Sequence, residues 1–387
     1  MYQVTVTKRG ADRIRGGHLW IYRSDVVDTG DAPGGFVVRV QDQHRNFVGQ
    51  ALFSNASEIT LRFLTQSEEP IDREWWRRRI LDAAARRQRI TRETNAYRLI
   101  YSEGDLLPSL IIDRYDDVLV MQNLSQGTEA VKPMLVGLLV EEFAPRAVIE
   151  KNNVRVRALE GLELIAGTLH GEAPEELEVL QNGLRFVVPP LSGQKTGSFL
   201  DQRENHLAAR SLAHGRALDC FTFHGGFALN LAMVCESVIG IDISADAIQA
   251  ARRNAELNQL QNVDFREANV FDALRDLESV GEKFDTIVLD PPAFAKNRAT
   301  VRSAARGYKE INLRALKLLR PGGTLITCTC SYHVSEELFL RILADAASDA
   351  HCRLQIIEKR TQASDHPILV GVPETYYLKC VIARVVE

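Results

Sequence analysis

The chain has 387 residues, 45% hydrophobic and 25% charged, with a formal net charge of −4. That length calls for two or three domains, and the balance is that of a soluble globular protein. No apolar run reaches the roughly 18 residues of a spanning helix, and the start, Met1–Gly17, lacks the apolar core of a secretion signal. The six cysteines form no CxxC pair and are too sparse for a disulfide framework, so a reducing, cytoplasmic setting is expected, without a membrane.

The net charge hides an asymmetry. Residues 1–98 carry 17 Lys/Arg against 12 Asp/Glu, while the remainder carries 30 against 39. A basic front on an acidic body fits a binding module joined to something else, or chance clustering on a solvated face.

In chain order, residues 1–66 are predicted to form short strands. VTVT, FVVRV, FVGQALF and ITLRFL are rich in β-branched and aromatic residues, and turn residues such as Asp31–Gly35 separate them. A small β-barrel closes so many short strands. A linker at Gln66–Pro70 precedes a helix over Asp72–Thr91, with Trp76, Ile80, Ala83 and Ala84 on one face. Its other positions hold Arg73, Arg77, Arg78, Arg79, Arg86, Arg87 and Arg89, either a solvated face or a phosphate-contacting stripe. Residues 99–170 read as α+β, with strands at LLPSLIIDRY, VLVMQ and AVIEK and a helix at Glu129–Glu142. The expected domains are therefore 1–68, 69–180 and 181–387. The last reads as alternating strands and helices, which predicts an α/β doubly wound, Rossmann-like parallel sheet. Ligands of such folds sit at the carboxyl ends of the strands.

Ala217–Phe221 is the first strand of that pattern, and it runs into Thr222-Phe223-His224-Gly225-Gly226. Glycines between a strand and a helix let backbone approach a ligand closely. The sequence is not GxGxxG, so a dinucleotide pyrophosphate loop is poorly supported. The next strand ends in Asp242, 23 residues after Asp219, where a carboxylate can accept bonds from ribose hydroxyls. After the fourth strand comes Asp290-Pro291-Pro292-Ala293-Phe294, the [DN]PPx[FYW] pattern of class I S-adenosylmethionine (AdoMet) methyltransferases that act on nucleobases and of some others. Its prolines fix an extended turn, its Asp can bond a base edge, and Phe294 can stack on the base.

The fifth strand ends in Thr327-Cys328-Thr329-Cys330-Ser331. As a neighbour of the fourth, it is expected to bring Cys330 toward Asp290. That suits attack on a pyrimidine: C5 of cytosine becomes nucleophilic once a thiolate adds at C6. An acid at Asp290 can stabilise the adduct through N3. Cys328 reads as packing, as do Cys220, Cys235, Cys352 and Cys380.

With these motifs the chain resembles the bacterial large-subunit rRNA (cytosine-5-)-methyltransferase I family, over nearly its whole length. Gly17–Tyr22 and Gly49–Ser54 look like its PUA domain, and Glu103–Pro108 and Asp113–Tyr115 like its central domain. Lys195-Thr196-Gly197-Ser198-Phe199-Leu200-Asp201-Gln202-Arg203 looks like the segment that opens its catalytic domain. The resemblance implies a PUA-like barrel, a central α+β domain and a C-terminal methyltransferase domain. It implies AdoMet held by Lys195, Thr196, Phe199, Asp201, Gln202, Arg203, Asp219, Phe221, Gly225, Gly226, Asp242, Ile243, Asn269 and Asp290. It places the nucleophile at Cys330, with Asp290 as the acid and Pro291, Pro292 and Phe294 against the base. RNA contacts are then expected at Arg77, Arg78 and Arg86. Asn269 stands where Asp is commoner, and an amide can still bond an adenine edge.

Two-cysteine relatives carry a second cysteine in the fourth-strand motif. This chain has none there, so Glu374, His333 and water are open candidates for removing the C5 proton. The expected substrate is a cytosine of 23S rRNA, with a homodimer as an expectation from relatives and no metal. N-methylation of adenine or guanine, methylation of uracil C5 and a non-catalytic RNA-binding role are the alternatives.

Overall fold

The computed structural model describes residues 1–90, 93–193, 196–295 and 297–386. The chain divides into two compact units. The first holds Met1–Leu180, Val188–Leu200 and Ser364–Thr375; the second holds Gln181–Val187, Asp201–Ala363 and Tyr376–Glu387.

The first unit opens with β1 (Tyr2–Val6), α1 (Lys8–Arg15), β2 (Trp20–Tyr22), β3 (Val26–Asp28), β4 (Val37–Asp42), β5 (Phe47–Phe53) and β6 (Ile59–Thr65). These strands make one mixed sheet in the order β2-β6-β5-β4-β1-β3. The four strands expected from β-branched runs are present. The amphipathic α1, which sequence reading did not anticipate, buries Ala11 and Ile14 with Val4, Val38 and Phe63.

Next come α2 (Arg73–Arg87), β7 (Ala96–Tyr101), β8 (Leu110–Tyr115), β9 (Val118–Asn123), α3 (Gln126–Ala130), α4 (Lys132–Phe143), β10 (Ala147–Lys151) and β11 (Ala166–Gly171). The sheet order is β11-β10-β9-β8-β7. Asp72 caps α2 by accepting from the Trp75 N–H at 3.0 Å. The expected end of this helix at Thr91 lies outside the described residues. Trp75, Trp76 and Ile80 pack with Leu135, Leu138 and Leu139 of α4 against Leu99, Ile112 and Met121 of the sheet. The expected single helix Glu129–Glu142 is two, α3 and α4. Pro133, in the first turn of α4, can start a helix there but cannot continue one.

A two-stranded hairpin follows, β12 (Leu177–Gln181) and β13 (Leu184–Val188). In the second unit follow α5 (Arg203–Leu212), β14 (Arg216–Cys220), α6 (Gly226–Ala232), β15 (Ser237–Asp242), α7 (Ala245–Leu257), β16 (Val263–Glu267), α8 (Val270–Ser279) and β17 (Phe284–Leu289). The chain ends with α9 (Val301–Leu318), β18 (Leu319–Thr329), α10 (Glu336–Asp349), β19 (Leu354–Arg360) and β20 (Lys379–Val385). The sheet order is β16-β15-β14-β17-β18-β20-β19. The first five strands of that order are parallel, as β–α alternation predicts. The expectation of a wholly parallel sheet is corrected at one edge: β20 runs antiparallel to both β18 and β19. The physical reason is connectivity, because β19 and β20 are joined without a crossover helix. Leu218, Ile239, Ile287, Leu289 and Leu325 pack under Tyr308, Ile311 and Phe339 of the covering helices.

Candidate active site

Two strand ends hold the first cluster. β14 finishes at Cys220 and the chain enters a tight loop, with Phe221 and Phe223 at φ of 64° and 49°. Gly225, at φ of 85°, caps α6, a conformation that glycine adopts without strain. A Cβ on Gly226 would lie 2.7 Å from Cε1 of His206, so the loop is pressed against α5. Burial holds that imidazole down at about 3, so it stays neutral. Asp219 Oδ2 accepts from the Thr222 hydroxyl at 2.6 Å and the Ala228 N–H at 2.9 Å. Its Oδ1 is buried and has no partner among the described residues. Burial, reinforced by Asp290 and Asp242, pushes the Asp219 carboxyl up to about 7.

At the end of β15, Asp242 accepts from the backbone N–H of Phe223 and of Ser244, both at 3.0 Å. The neighbouring Ile243 is 68% exposed, an apolar side chain in solvent beside a carboxylate. Asn269 caps α8, its Oδ1 accepting from the Phe271 N–H at 2.9 Å, which leaves its amide donors for another group. An orphaned buried carboxylate oxygen, a glycine loop, a second acid and an exposed apolar side chain fit the cation, backbone, ribose and adenine parts of AdoMet. The residues that would hold it are Asp219, Gly225, Gly226, Asp242, Ile243 and Asn269.

The second cluster joins β17 and β18. Gln202 donates from Nε2 to Asp290 Oδ1 at 2.8 Å and is itself held by Asn205 at 2.7 Å. The half-buried thiol of Cys330 lies 4.0 Å from the Pro291 carbonyl oxygen. Ser331 Oγ accepts from the Ala295 N–H at 3.2 Å and lies 3.0 Å from the Tyr308 hydroxyl. Thr329 Oγ1 donates to that same hydroxyl oxygen at 2.7 Å. Buried Tyr308 of α9 therefore clamps the Thr329–Ser331 turn, and Ser331 ties it to the Asp290–Ala295 turn. Cys328 is fully buried opposite Cys380, and burial raises its thiol well above the ordinary range.

Lys379, which sequence reading missed, starts β20 opposite Thr329 and is only 4% exposed. Burial pulls its ammonium below the ordinary range, against attraction from Cys330 and Glu336. Its signal was a lysine opening the apolar run CVIA. Tyr308 had no signal, since a tyrosine on a helix's buried face reads as core.

Other expected residues sit differently. Asp201 accepts from the Tyr377 hydroxyl at 2.6 Å, and Arg203 is buried in the first turn of α5. Thr196 and Phe199 belong to the first unit, where Thr196 bonds Asp113. Lys195 lies outside the described residues. Pro292 is exposed, but Phe294 packs against Tyr308, with ring centroids 4.7 Å apart. Arg77, Arg78 and Arg86 are paired with Glu142 at 2.5 Å, Glu69 at 3.1 Å and Asp105 at 2.9 Å. Arg87, expected on the solvated face, is buried and bidentate to Asp105. Glu374 belongs to the first unit and pairs with His18 at 3.3 Å.

Comparison with known proteins bears on the fold and the family. Residues 156–374 match the model of an S-adenosylmethionine-dependent methyltransferase family, and residues 4–66 match that of a PUA-like domain. A Streptococcus mutans protein described as a SAM-dependent methyltransferase has the same fold, with a TM-score of 0.84 at 20% identity and 100% of both chains covered. Another structure, solved with S-adenosylhomocysteine bound, superposes with a TM-score of 0.85 at 19% identity, again over 100% of both chains. The ribosomal RNA large subunit methyltransferase I of Shewanella amazonensis is 43% identical over 377 residues, covering 95% of each chain. That of Tolumonas auensis is 41% identical over 380 residues, covering 95% of this chain and 96% of its own. At that identity over almost its whole length, the chain belongs to the ribosomal RNA large subunit methyltransferase I family of AdoMet-dependent enzymes.

Proposed function

We propose that this protein methylates C5 of a cytosine in 23S rRNA through a covalent adduct at C6. The names of its relatives supply the rRNA substrate. The observation that carries the chemistry is the Cys330 thiol beside the Pro291 carbonyl, 4.0 Å away, on the turn that Asp290 opens. A base entering along that turn meets a nucleophile and an acid together.

AdoMet, when bound, supplies an electrophilic methyl group. The Cys330 thiolate adds to C6 and shifts electron density to C5, which takes the methyl group. Asp290, oriented by Gln202, donates to or bonds N3 and stabilises the adduct. Loss of the C5 proton then restores the ring and expels the thiolate. The buried ammonium of Lys379 favours a thiolate at Cys330 in both the attacking and the leaving step. His333, half-buried and edge-on to Tyr332, stays a candidate for the C5 proton together with water.

The test is trapping on 23S rRNA that contains 5-fluorocytosine. Wild-type protein with AdoMet should form an adduct that survives denaturation, and Cys330→Ala should form none while binding AdoMet normally. An adduct in the variant sinks the nucleophile assignment. Turnover on rRNA without any trapped adduct favours N-methylation, which the Asp290–Phe294 turn would serve without a thiol.

A further inference from the structure

Helix α9 leaves the substrate turn with an uneven distribution of charge partners. On its later turns Lys309 pairs with Asp349 at 2.7 Å, Arg314 with Glu278 at 2.5 Å and Lys317 with Glu278 at 3.1 Å. Near its start Arg302 and Arg306 are exposed, as is Arg298 in the short 3-10 turn (Arg298–Thr300) just before it, and none has a side-chain partner among the described residues. Four-residue spacing puts Arg302 and Arg306 on one face of α9, with their stems about 6 Å apart along the axis, and Arg298 lies in the turn that leads into the helix. The opposite face buries Ala304, Tyr308, Ile311 and Ala315 in the core.

This row gives the fold nothing by itself. Arg302 and Arg306, like charges four apart on the helix, repel each other. Five of the six arginines of α2 behave otherwise: Arg73, Arg77, Arg78, Arg86 and Arg87 each have a carboxylate partner, while Arg79 lies over the Trp75 ring. A phosphate approaching α2 would have to displace those acids.

The row also starts at the reaction site. Phe294 lies 4.7 Å from Tyr308 between ring centroids, and a Cβ on Gly307 would come within 3.2 Å of the Phe294 ring. The first two turns of α9 are thus packed beneath the Asp290–Phe294 turn. An exposed ring, Tyr332 at 45%, stands two residues past Cys330, as a stacking platform would. The sequence beyond residue 98 has nine more acids than bases. Against that background, three cations without a carboxylate partner among the described residues are able to hold a polyanion.

We infer that Arg298, Arg302 and Arg306 form a track for the RNA phosphates flanking the target base. The inference rests on the rRNA reading above. It moves the phosphate grip next to the chemistry and away from the ion-paired α2 stripe.

The experiment compares wild type with R298A/R302A/R306A and with a triple Lys variant at the same positions, on transcribed 23S rRNA across a salt series. R341A, which removes an exposed cation from the same unit, is the control. The Ala variant should bind AdoMet like wild type, with its KM for rRNA raised about tenfold and its log–log salt slope shallower by about 2 to 3. The Lys variant and R341A should keep the wild-type slope. An Ala variant with wild-type KM and slope, or one that loses kcat at saturating RNA with KM unchanged, overturns the track and leaves the substrate reading intact. Wild-type protein that transfers no methyl group to rRNA ends both.

Discussion

Asp219, a proposed cofactor ligand, is a carboxylate that costs the empty fold. It is buried, it accepts two hydrogen bonds on Oδ2, and its Oδ1 has no partner among the described residues. Its carboxyl is pushed up to about 7, while an unfolded chain ionises near 3.8. Between those values the folded state holds the extra proton, so stability falls as pH rises through this window. Asp219→Asn should flatten that fall, giving cofactor-free protein a higher urea midpoint at pH 8 relative to wild type. The same change should weaken AdoMet about tenfold to a hundredfold, since a charged hydrogen bond is lost. Urea midpoints at pH 5 and pH 8 with calorimetric AdoMet titration check both; an unchanged pH slope would count against the raised carboxyl. At this scale Asp219, Asp242, Asp290 and Cys330 were legible as candidates because their motifs sit at strand ends. Lys379 and Tyr308 were not, because a single buried lysine or tyrosine announces no partner until strand register and helix packing supply one.

Helix α2 makes the equivalent point for an element. Its periodicity predicted the buried tryptophan face, but seven arginines on the remaining positions read alike. Packing separates them. Arg87 is fully enclosed and bidentate to Asp105 at 2.6 Å on both oxygens, and it also donates to the Asp365 carbonyl at 2.7 Å. Asp105 further accepts from Arg86 and from the Tyr101 N–H at 2.7 Å. Removing one member of such a buried pair leaves an uncompensated charge. Asp105→Ala is expected to destabilise the protein by about 3–5 kcal/mol, read by urea unfolding. Arg78→Ala, whose pair with Glu69 is half exposed, should change stability by less than about 1 kcal/mol in the same assay. Equal effects would contradict the separation of a core arginine from a surface one. Sequence alone cannot make that distinction, since the acids that sort these arginines come from residues 69, 105, 141 and 142.

For the whole molecule, the two units are not two consecutive stretches of chain. The second unit takes its last strand from beyond Ser364–Thr375, which belongs to the first. That strand, β20, lies between β18 and β19 and pairs with both. A chain stopped after Ala363 therefore loses the partner of the strand carrying Cys328 and Thr329, and exposes two sheet edges. It is expected to aggregate and to bind no AdoMet, by size-exclusion chromatography and calorimetry. A soluble truncation with normal affinity would show that β20 is dispensable. The sequence by itself determined the β–α alternation, the glycine loop after the first strand, the acid after the second and the two candidate motifs at later strand ends, since those depend on local periodicity and short spacing. Only the tertiary structure decided the antiparallel edge, the clamp at Tyr308, the lysine behind the thiol and which arginines are neutralised. Each of those is a pairing between residues far apart in the chain, and neither periodicity nor composition encodes it.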